Sequence, residues 1–430
     1  MLFYRILYLP GLLIGLPYYL FRMWRRGGYR KGFGNRFGVM GKVPPKRGDR
    51  KRIWIQAVSV GELVAIEPML KRLADDDSVE VFLTTTTSTG YRVLEGRLAP
   101  LTSWHGVFPL DFWLFSRRAW KRLQPDLAIL MEGELWPEHI YQASRRNVPV
   151  ILVNARLSDR SFKRHLSFKG LTRHYYHRLE GILAGSQTDQ DRFTQLGWLP
   201  PERIVSTGNL KLDVLQEAPP EREERAALLA ELGFPPEGTT VLLGSSTWSG
   251  EESALIESFI NLRSTFPDLR LLIVPRHAER IKELESLVSK YPVQSHFRSK
   301  AKQAPAGTEV YIADTTGELH MLTRFADLVF VGKSLPPNEG GQTPVESAAL
   351  GKPMLFGPNM SNFRDIARNL TQAGAVQRVE SPEALQASIH ELLLDPGKRE
   401  DMAKAAYAFI EANRGATDRI IGHIKSRTLS

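Results

Sequence analysis

From Ile53 onward, short unbroken apolar runs alternate with longer stretches whose apolar positions recur every three or four residues, the signatures of buried strands and amphipathic helices. In the first half the strand runs are Ile53–Val58, Val81–Thr86, Leu127–Met131, Val150–Asn154 and Gly181–Ala184, with a shorter one at Ile204–Thr207. Leu63–Leu73 and Glu138–Arg145 carry helical spacing between them. The second half repeats the plan. Its strand runs are Thr240–Gly244, Leu271–Val274, Val310–Ala313, Leu328–Val331 and Met354–Phe356. Its helical stretches lie near Glu251–Ser264, Ala278–Ser289, Glu318–Arg324, Val345–Leu350, Ala384–Leu394 and Arg399–Ala412. Runs this continuous belong to parallel strands buried on both faces, so the pattern predicts two doubly wound, Rossmann-like α/β domains facing a cleft. The charged segment Gln216–Arg225, with Pro219-Pro220, breaks the alternation and marks a hinge. The predicted division is 1–28, 29–215 and 216–430.

Ahead of this pattern, Ile6 to Phe21 is almost wholly apolar or aromatic, and Arg22, Arg25, Arg26, Arg30, Lys31 and Arg36 follow it. No small-residue cleavage site follows, which disfavours a secretory signal peptide. The positive flank places the rest of the chain on the cytoplasmic side of a membrane. The expectation is one uncleaved anchor helix in residues 1–28, spanning once or lying in the interface. Arg5 would snorkel to lengthen a run that falls short of the ~20 residues a span needs.

Composition narrows the function classes. A chain of 430 residues with 42% apolar residues suits two domains with full cores. The absence of cysteine excludes a disulfide framework, a thiol nucleophile and thiolate metal sites. A net charge of +10 calls for an anionic partner. No nucleic-acid-binding signature is present, so that partner is read as a lipid surface or a phosphorylated substrate. No H-E-x-x-H motif occurs, the Asp75–Asp77 run sits in a polar turn, and Gly332-Lys333-Ser334 lacks the upstream glycine of a phosphate loop.

Candidate chemistry lies where strands meet helices, because ligands of such sheets bind beyond the carboxyl ends of strands. Four junctions share one grammar, a small-residue turn with a carboxylate at a helix start: VSVGE (58–62), STWSGEE (246–252), DTTGEL (314–319) and GGQTPVE (340–346). Ser59-x-x-Glu62, Ser249-x-x-Glu252, Thr315-x-x-Glu318 and Thr343-Pro344-x-Glu346 also read as capping boxes. Each alone is more often a cap; as a set at strand ends they point to a ligand, since helix starts offer free N–H groups to phosphate. VPRH (274–277) adds Arg276, suited to a phosphate. MEGELWP (131–137) brings Glu132 and Glu134 to a strand end.

Taken together, these strings resemble the 3-deoxy-D-manno-octulosonic acid (Kdo) transferase family. The resemblance rests on VSVGE, MEGELWP, NARLS (154–158), GNLKLD (208–213), GEE (250–252), VPRHAER (274–280), DTTGEL, FVGKSL (330–335) and GGQTPVE, in order, along the chain to about Asp365. It implies a GT-B fold and an inverting, metal-independent transferase with no cofactor. The donor is CMP-Kdo and the acceptor a lipid A precursor such as lipid IVA, at the cytoplasmic face of the inner membrane. By position it makes Glu62 the catalytic base and places CMP on Pro275, Arg276, Thr316, Gly317, Glu318, Thr343, Pro344, Val345 and Glu346. Three positions depart from the family pattern: Thr343 for asparagine, Trp248 for histidine and Asn35 for glutamate. They keep two alternatives open, another nucleotide sugar on a lipid acceptor, or a non-catalytic glycolipid-binding remnant. The base assignment expects the Glu62 carboxylate unpaired and aimed at a sugar hydroxyl; a side chain folded back on its own helix start and far from the interdomain groove overturns the enzyme reading.

Overall fold

The computed structural model describes residues 1–25, 32–213 and 220–426. Residues 1–214 with 414–430 form one unit, and 215–413 form the other. Residues 216–219 of the hinge segment lie outside the described residues.

The first unit is built on seven strands: Lys51–Gln56 (β1), Val79–Thr85 (β2), Trp104–Val107 (β3), Leu127–Met131 (β4), Val150–Ala155 (β5), Gly181–Ala184 (β6) and Ile204–Ser206 (β7). All pair in parallel, in the order β3-β2-β1-β4-β5-β6-β7. Strand alternation sends Ile53 and Ile55 into one core, with Leu63, Leu83 and Ile129, and Trp54 into the other, with Phe82, Trp120 and Leu152. Both faces are covered, which is why the strands read as unbroken apolar runs. The chain runs outward from β1 to β2 and β3, then returns to β4 on the other side of β1. The β1/β4 junction is therefore the switch point where ligands bind in such sheets.

The second unit repeats the plan with Thr240–Thr247 (β8), Leu269–Pro275 (β9), Ser295–Phe297 (β10), Val310–Ile312 (β11), Leu328–Val331 (β12), Met354–Phe356 (β13) and Val376–Arg378 (β14). Its parallel order is β10-β11-β9-β8-β12-β13-β14, so its switch point lies between β8 and β12. One core gathers Leu242, Leu255, Phe259, Leu271, Ile312 and Phe330.

The final helix, Ala416–Ile424, belongs to the first unit, although the linear division put it in the second. Asp213 caps it, accepting from the backbone N–H groups of Gly415 (2.9 Å) and Thr417 (2.6 Å). Ile420 and Ile424 are fully buried beside Leu63 and Leu70, a burial that stabilises by about 1.5–3 kcal/mol per side chain.

The anchor expected in residues 1–28 is corrected. Leu2–Arg25 is a helix of 24 residues, but Tyr8, Pro10, Gly11, Gly15, Pro17 and Tyr18 dilute its hydropathy. Among the described residues no helix is long and apolar enough to cross a membrane, which removes the single transmembrane anchor and the inner-membrane placement drawn from it. Arg5 does not snorkel. It forks onto Glu138 with two 2.8 Å bonds, while the Tyr4 hydroxyl donates to Asp111 at 2.5 Å. The first turns are thus tied to the first unit, and Phe3, Ile6, Leu13 and Ile14 stay exposed. Arg26, Arg30 and Lys31 lie outside the described residues.

Candidate functional site

In the first unit, β1 ends at Gln56 and the helix Val60–Ala65 begins four residues later, with Ser59 as its N-cap. Glu62 folds back as in a capping box, but reaches one residue beyond the cap. Its Oε2 accepts from the Val58 N–H at 2.8 Å and its Oε1 from the Ser59 hydroxyl at 3.0 Å. The expected unpaired carboxylate is therefore corrected: the side chain folds back on its own helix start. Each oxygen takes one hydrogen bond, and a carboxylate oxygen accepts two, so capacity for a proton remains. Burial, then the charge of Glu132, push the Glu62 carboxyl up to about 7, against the Val58 and Ser59 hydrogen bonds; Glu134 adds to the rise. A carboxyl in that range is matched to general-base work at neutral pH.

Across the switch point, β4 delivers Glu132 in a left-handed conformation with φ 51°. Lys211 pairs with it at 2.7 Å. Burial would raise the Glu132 carboxyl, but Lys211 and Arg156 outweigh it and hold it below its ordinary value. Glu134 is raised by burial and by Glu132. Asn154, at the end of β5, is another left-handed residue with φ 51°. Its Oδ1 accepts from the Leu210 N–H at 3.1 Å, and its buried Nδ2 has no hydrogen-bond partner. Lys211 and Asn154 sit in GNLKLD and NARLS, strings to which sequence reasoning gave no role. Lys211 reaches Glu132 across 79 positions, so no local spacing could have announced the pair.

In the second unit, β9 ends in buried Pro275, and Arg276 follows with its backbone N–H on the Thr247 carbonyl at 3.1 Å. The Arg276 side chain is exposed and makes no salt bridge among the described residues. The neighbouring β11 leads into Thr316 and Gly317, where φ 95° suits glycine and the space around the missing side chain is open. Glu318 is committed elsewhere. Arg298 pairs with it at 2.5 Å and Thr315 donates to it. Burial raises its carboxyl, but Arg298 and Thr315 together hold it below the ordinary range.

Thr343 accepts from the Val345 N–H at 3.3 Å, and the short helix Val345–Ala349 starts after Pro344 with Val345 buried. Glu346 does not complete a box there. Its carboxylate makes no hydrogen bond or ion pair among the described residues. Burial raises it, against the charge of His320, which lies two residues beyond Glu318. The helices Leu319–Arg324 and Val345–Ala349 are in contact. The fold thus packs the helix that follows 316–318 against the helix that carries Glu346, whose carboxylate keeps its hydrogen-bonding capacity open.

The box expected at Ser249-x-x-Glu252 is displaced by one residue. Glu251 takes the cap position, accepting from the N–H groups of Trp248 (2.9 Å), Lys333 (2.7 Å), Ser334 (2.8 Å) and Leu335 (3.1 Å). Glu252 pairs with Arg280 at 2.9 Å.

Both switch points thus bring carboxylates and cations to the strand ends of a parallel α/β sheet, and similarity to known proteins identifies the class. Residues 31–214 match the family described as 3-Deoxy-D-manno-octulosonic-acid transferase (kdotransferase), and 252–409 match glycosyl transferases group 1. The chain is 32% identical over 401 residues to the 3-deoxy-D-manno-octulosonic acid transferase of Haemophilus influenzae, covering 92% of this chain and 91% of that protein. It is 32% identical over 417 residues to the transferase of the same name from Bordetella pertussis, covering 93% and 94%. In fold alone it resembles a UDP-GlcNAc 2-epimerase from Neisseria meningitidis, with a TM-score of 0.61 at 14% identity, over 87% of this chain and 100% of that one. The protein is a glycosyltransferase. It belongs to the 3-deoxy-D-manno-octulosonic acid transferase family.

Proposed function

We propose that the two units are the halves of a GT-B transferase that moves Kdo from CMP-Kdo to a hydroxyl of a lipid A precursor, lipid IVA or a close relative, in lipopolysaccharide core assembly. The observation that carries the mechanism is the buried Glu62 carboxyl, lifted to about 7 beside Glu132. In this reading Glu62 takes the proton from the acceptor hydroxyl as that oxygen bonds to the anomeric carbon. The bond from that carbon to the CMP phosphate oxygen breaks on the opposite face, inverting the centre, and its electron pair leaves with CMP. Arg276, free of acidic partners, meets the phosphate, so the reading needs neither metal nor cofactor. Glu346, lacking any hydrogen-bond partner, takes the ribose hydroxyls. Pro275, Thr316, Gly317, Glu318, Thr343, Pro344 and Val345 shape the nucleotide's surroundings. For Glu318 that role is indirect, through the turn it fixes with Arg298. The net charge of +10 suits a phosphorylated acceptor.

The test is mass spectrometry of lipid IVA incubated with the protein and CMP-Kdo made in situ, with released nucleotide measured across a donor panel. Addition of Kdo with stoichiometric CMP release is the expected result. Turnover with UDP-sugars alone transfers the assignment to a different donor. Lipid binding without nucleotide release from any donor reduces the protein to a glycolipid-binding remnant.

A further inference from the structure

At the second unit's switch point, β12 pairs with β8 to its last residue, Val331 against Ser245. The chains approach so closely there that a side chain on Gly332 would lie 2.6 Å from the Ser246 carbonyl oxygen and 2.7 Å from the Thr247 Cα. The next residue, Lys333, stands at φ 58°, a conformation bulky side chains rarely adopt. Glu251 holds it there through the Lys333 and Trp248 backbone N–H groups. The lysine is half-buried, and its ammonium lies 4.6 Å from the centre of the Trp248 ring, within cation–π range. His277 packs edge-on against the same indole, with ring centres 5.1 Å apart and planes at 76°. Among the described residues the Lys333 ammonium has no salt-bridge partner. Strain at a strand end is worth explaining by what the side chain does, and this side chain brings an uncompensated, oriented cation to the place where such sheets bind ligands.

The donor in the proposed function carries two anionic groups, the nucleotide phosphate and the carboxylate of the sugar acid. At the strand ends flanking β8, two cations have no acidic partner among the described residues, Arg276 after β9 and Lys333 after β12. Neighbouring strands lie ~4.8 Å apart, so β9 and β12, on either side of β8, stand roughly 10 Å apart, and the two cations serve separate groups of one small ligand. We infer that Lys333, held on Trp248, is the subsite for the carboxylate of the transferred sugar, while Arg276 serves the phosphate. Trp248 is a positioning residue whose ring face fixes the ammonium, which gives a purpose to an aromatic at a position where the family pattern has histidine. This inference rests on the Kdo-transfer reading and deepens it.

The experiment compares CMP, which has the phosphate and lacks the carboxylate, with CMP-Kdo, which has both. For K333M, the dissociation constant for CMP should stay at the wild-type value, while KM for CMP-Kdo rises about 10- to 100-fold, the range for one hydrogen bond to a charged group. K333R should recover most of that loss. K333G removes the cation and the backbone strain together, so it should keep or raise Tm while losing donor affinity as K333M does. W248A should raise the donor KM with kcat little changed, and W248F, which keeps a ring face, should recover most of that loss. Equal weakening of CMP and CMP-Kdo by K333M would make Lys333 a phosphate ligand and overturn the assignment, as would no change in either. If the wild-type protein fails to consume CMP-Kdo at all, the parent reading fails; if it consumes it and K333M is silent, only the carboxylate subsite fails.

Discussion

Glu62 and Glu251 occupy the same place in two similar sheets, the first turn of the helix that follows the strand at the switch point. Their surroundings differ. Glu251 receives four backbone N–H bonds, one from its own turn and three from the loop after β12. It is saturated and clamps two strand ends. Glu62 receives two bonds, both from its own helix start, and faces the charges of Glu132 and Glu134 across the switch point. The same local grammar gives a rivet in one unit and a poised proton acceptor in the other. The difference comes from what the neighbouring strand presents: backbone N–H groups after β12, carboxylates after β4.

The largest expected effect separates the two glutamates. E62Q should lower the transfer rate by about 10²–10⁴-fold, the usual weight of a general base, while Tm at pH 8 stays or rises. The sign follows from its titration. The unfolded carboxyl gives up its proton near ~4.3, the folded one only near 7. Folding therefore loses stability as pH climbs through that window, and glutamine removes the loss. E251Q should do the opposite. An amide NH₂ turned toward backbone donors leaves a buried N–H unpaired at about 1–3 kcal/mol, which lowers the second unit's melting temperature by about 2–4 °C per kcal/mol. Kinetics with thermal melts on both variants check this; if E62Q unfolds the protein and E251Q only slows it, the comparison is reversed.

Next in size is Arg276. R276M should weaken CMP binding about 10- to 100-fold, since a charge-assisted hydrogen bond is worth ~1.5–3 kcal/mol. Calorimetric titration with CMP measures it, and unchanged affinity would move the phosphate elsewhere.

Much of this was legible in the sequence because it is local. Parallel strands buried on both faces print themselves as apolar runs, so both sheets and their order of elements could be anticipated. The strands that escaped notice are edge or near-edge pieces: β3 is Trp-His-Gly-Val, β10 Ser-His-Phe and β14 Val-Gln-Arg, too short and too polar to show a period. The anchor expectation counted apolar letters and overlooked partners. Tyr4 and Arg5 are consumed by Asp111 and Glu138, more than a hundred residues away. Capping patterns were visible but not their outcome. None closes as written: Glu62 takes the Val58 N–H in place of the Ser59 N–H, and the others shift by a residue, give their carboxylate to Arg298, or stay open at Glu346. The Glu132–Lys211 pair and the capping of the last helix by Asp213 join distant segments, and spacing along the chain carries no trace of them.

The proximity of Glu132 sharpens the comparison through pH. Glu62 acts as a base only when ionised, so the rate should fall as pH drops below about 7. E132Q removes the second-largest cause of the rise and should move that acidic limb downward. It should stay above an ordinary glutamate, because burial is the larger cause and remains. A limb that does not move in a kcat/KM profile would mean that Glu132 does not act on Glu62 through its charge.

The smallest effect comes from Ser59, which serves both the helix and the carboxylate. Its oxygen accepts the Glu62 N–H at 3.4 Å, while its hydroxyl donates to Glu62 Oε1 at 3.0 Å. S59A should cost about 0.5–2 kcal/mol for the lost cap. It also removes a bond that favours the ionised carboxylate, so the acidic limb should move upward, opposite to E132Q. A purely structural cap would lower Tm and leave the limb in place. A shift in the predicted direction shows that the capping box itself tunes the base, and that the fold-back of Glu62 onto its helix start sets its chemistry without abolishing it.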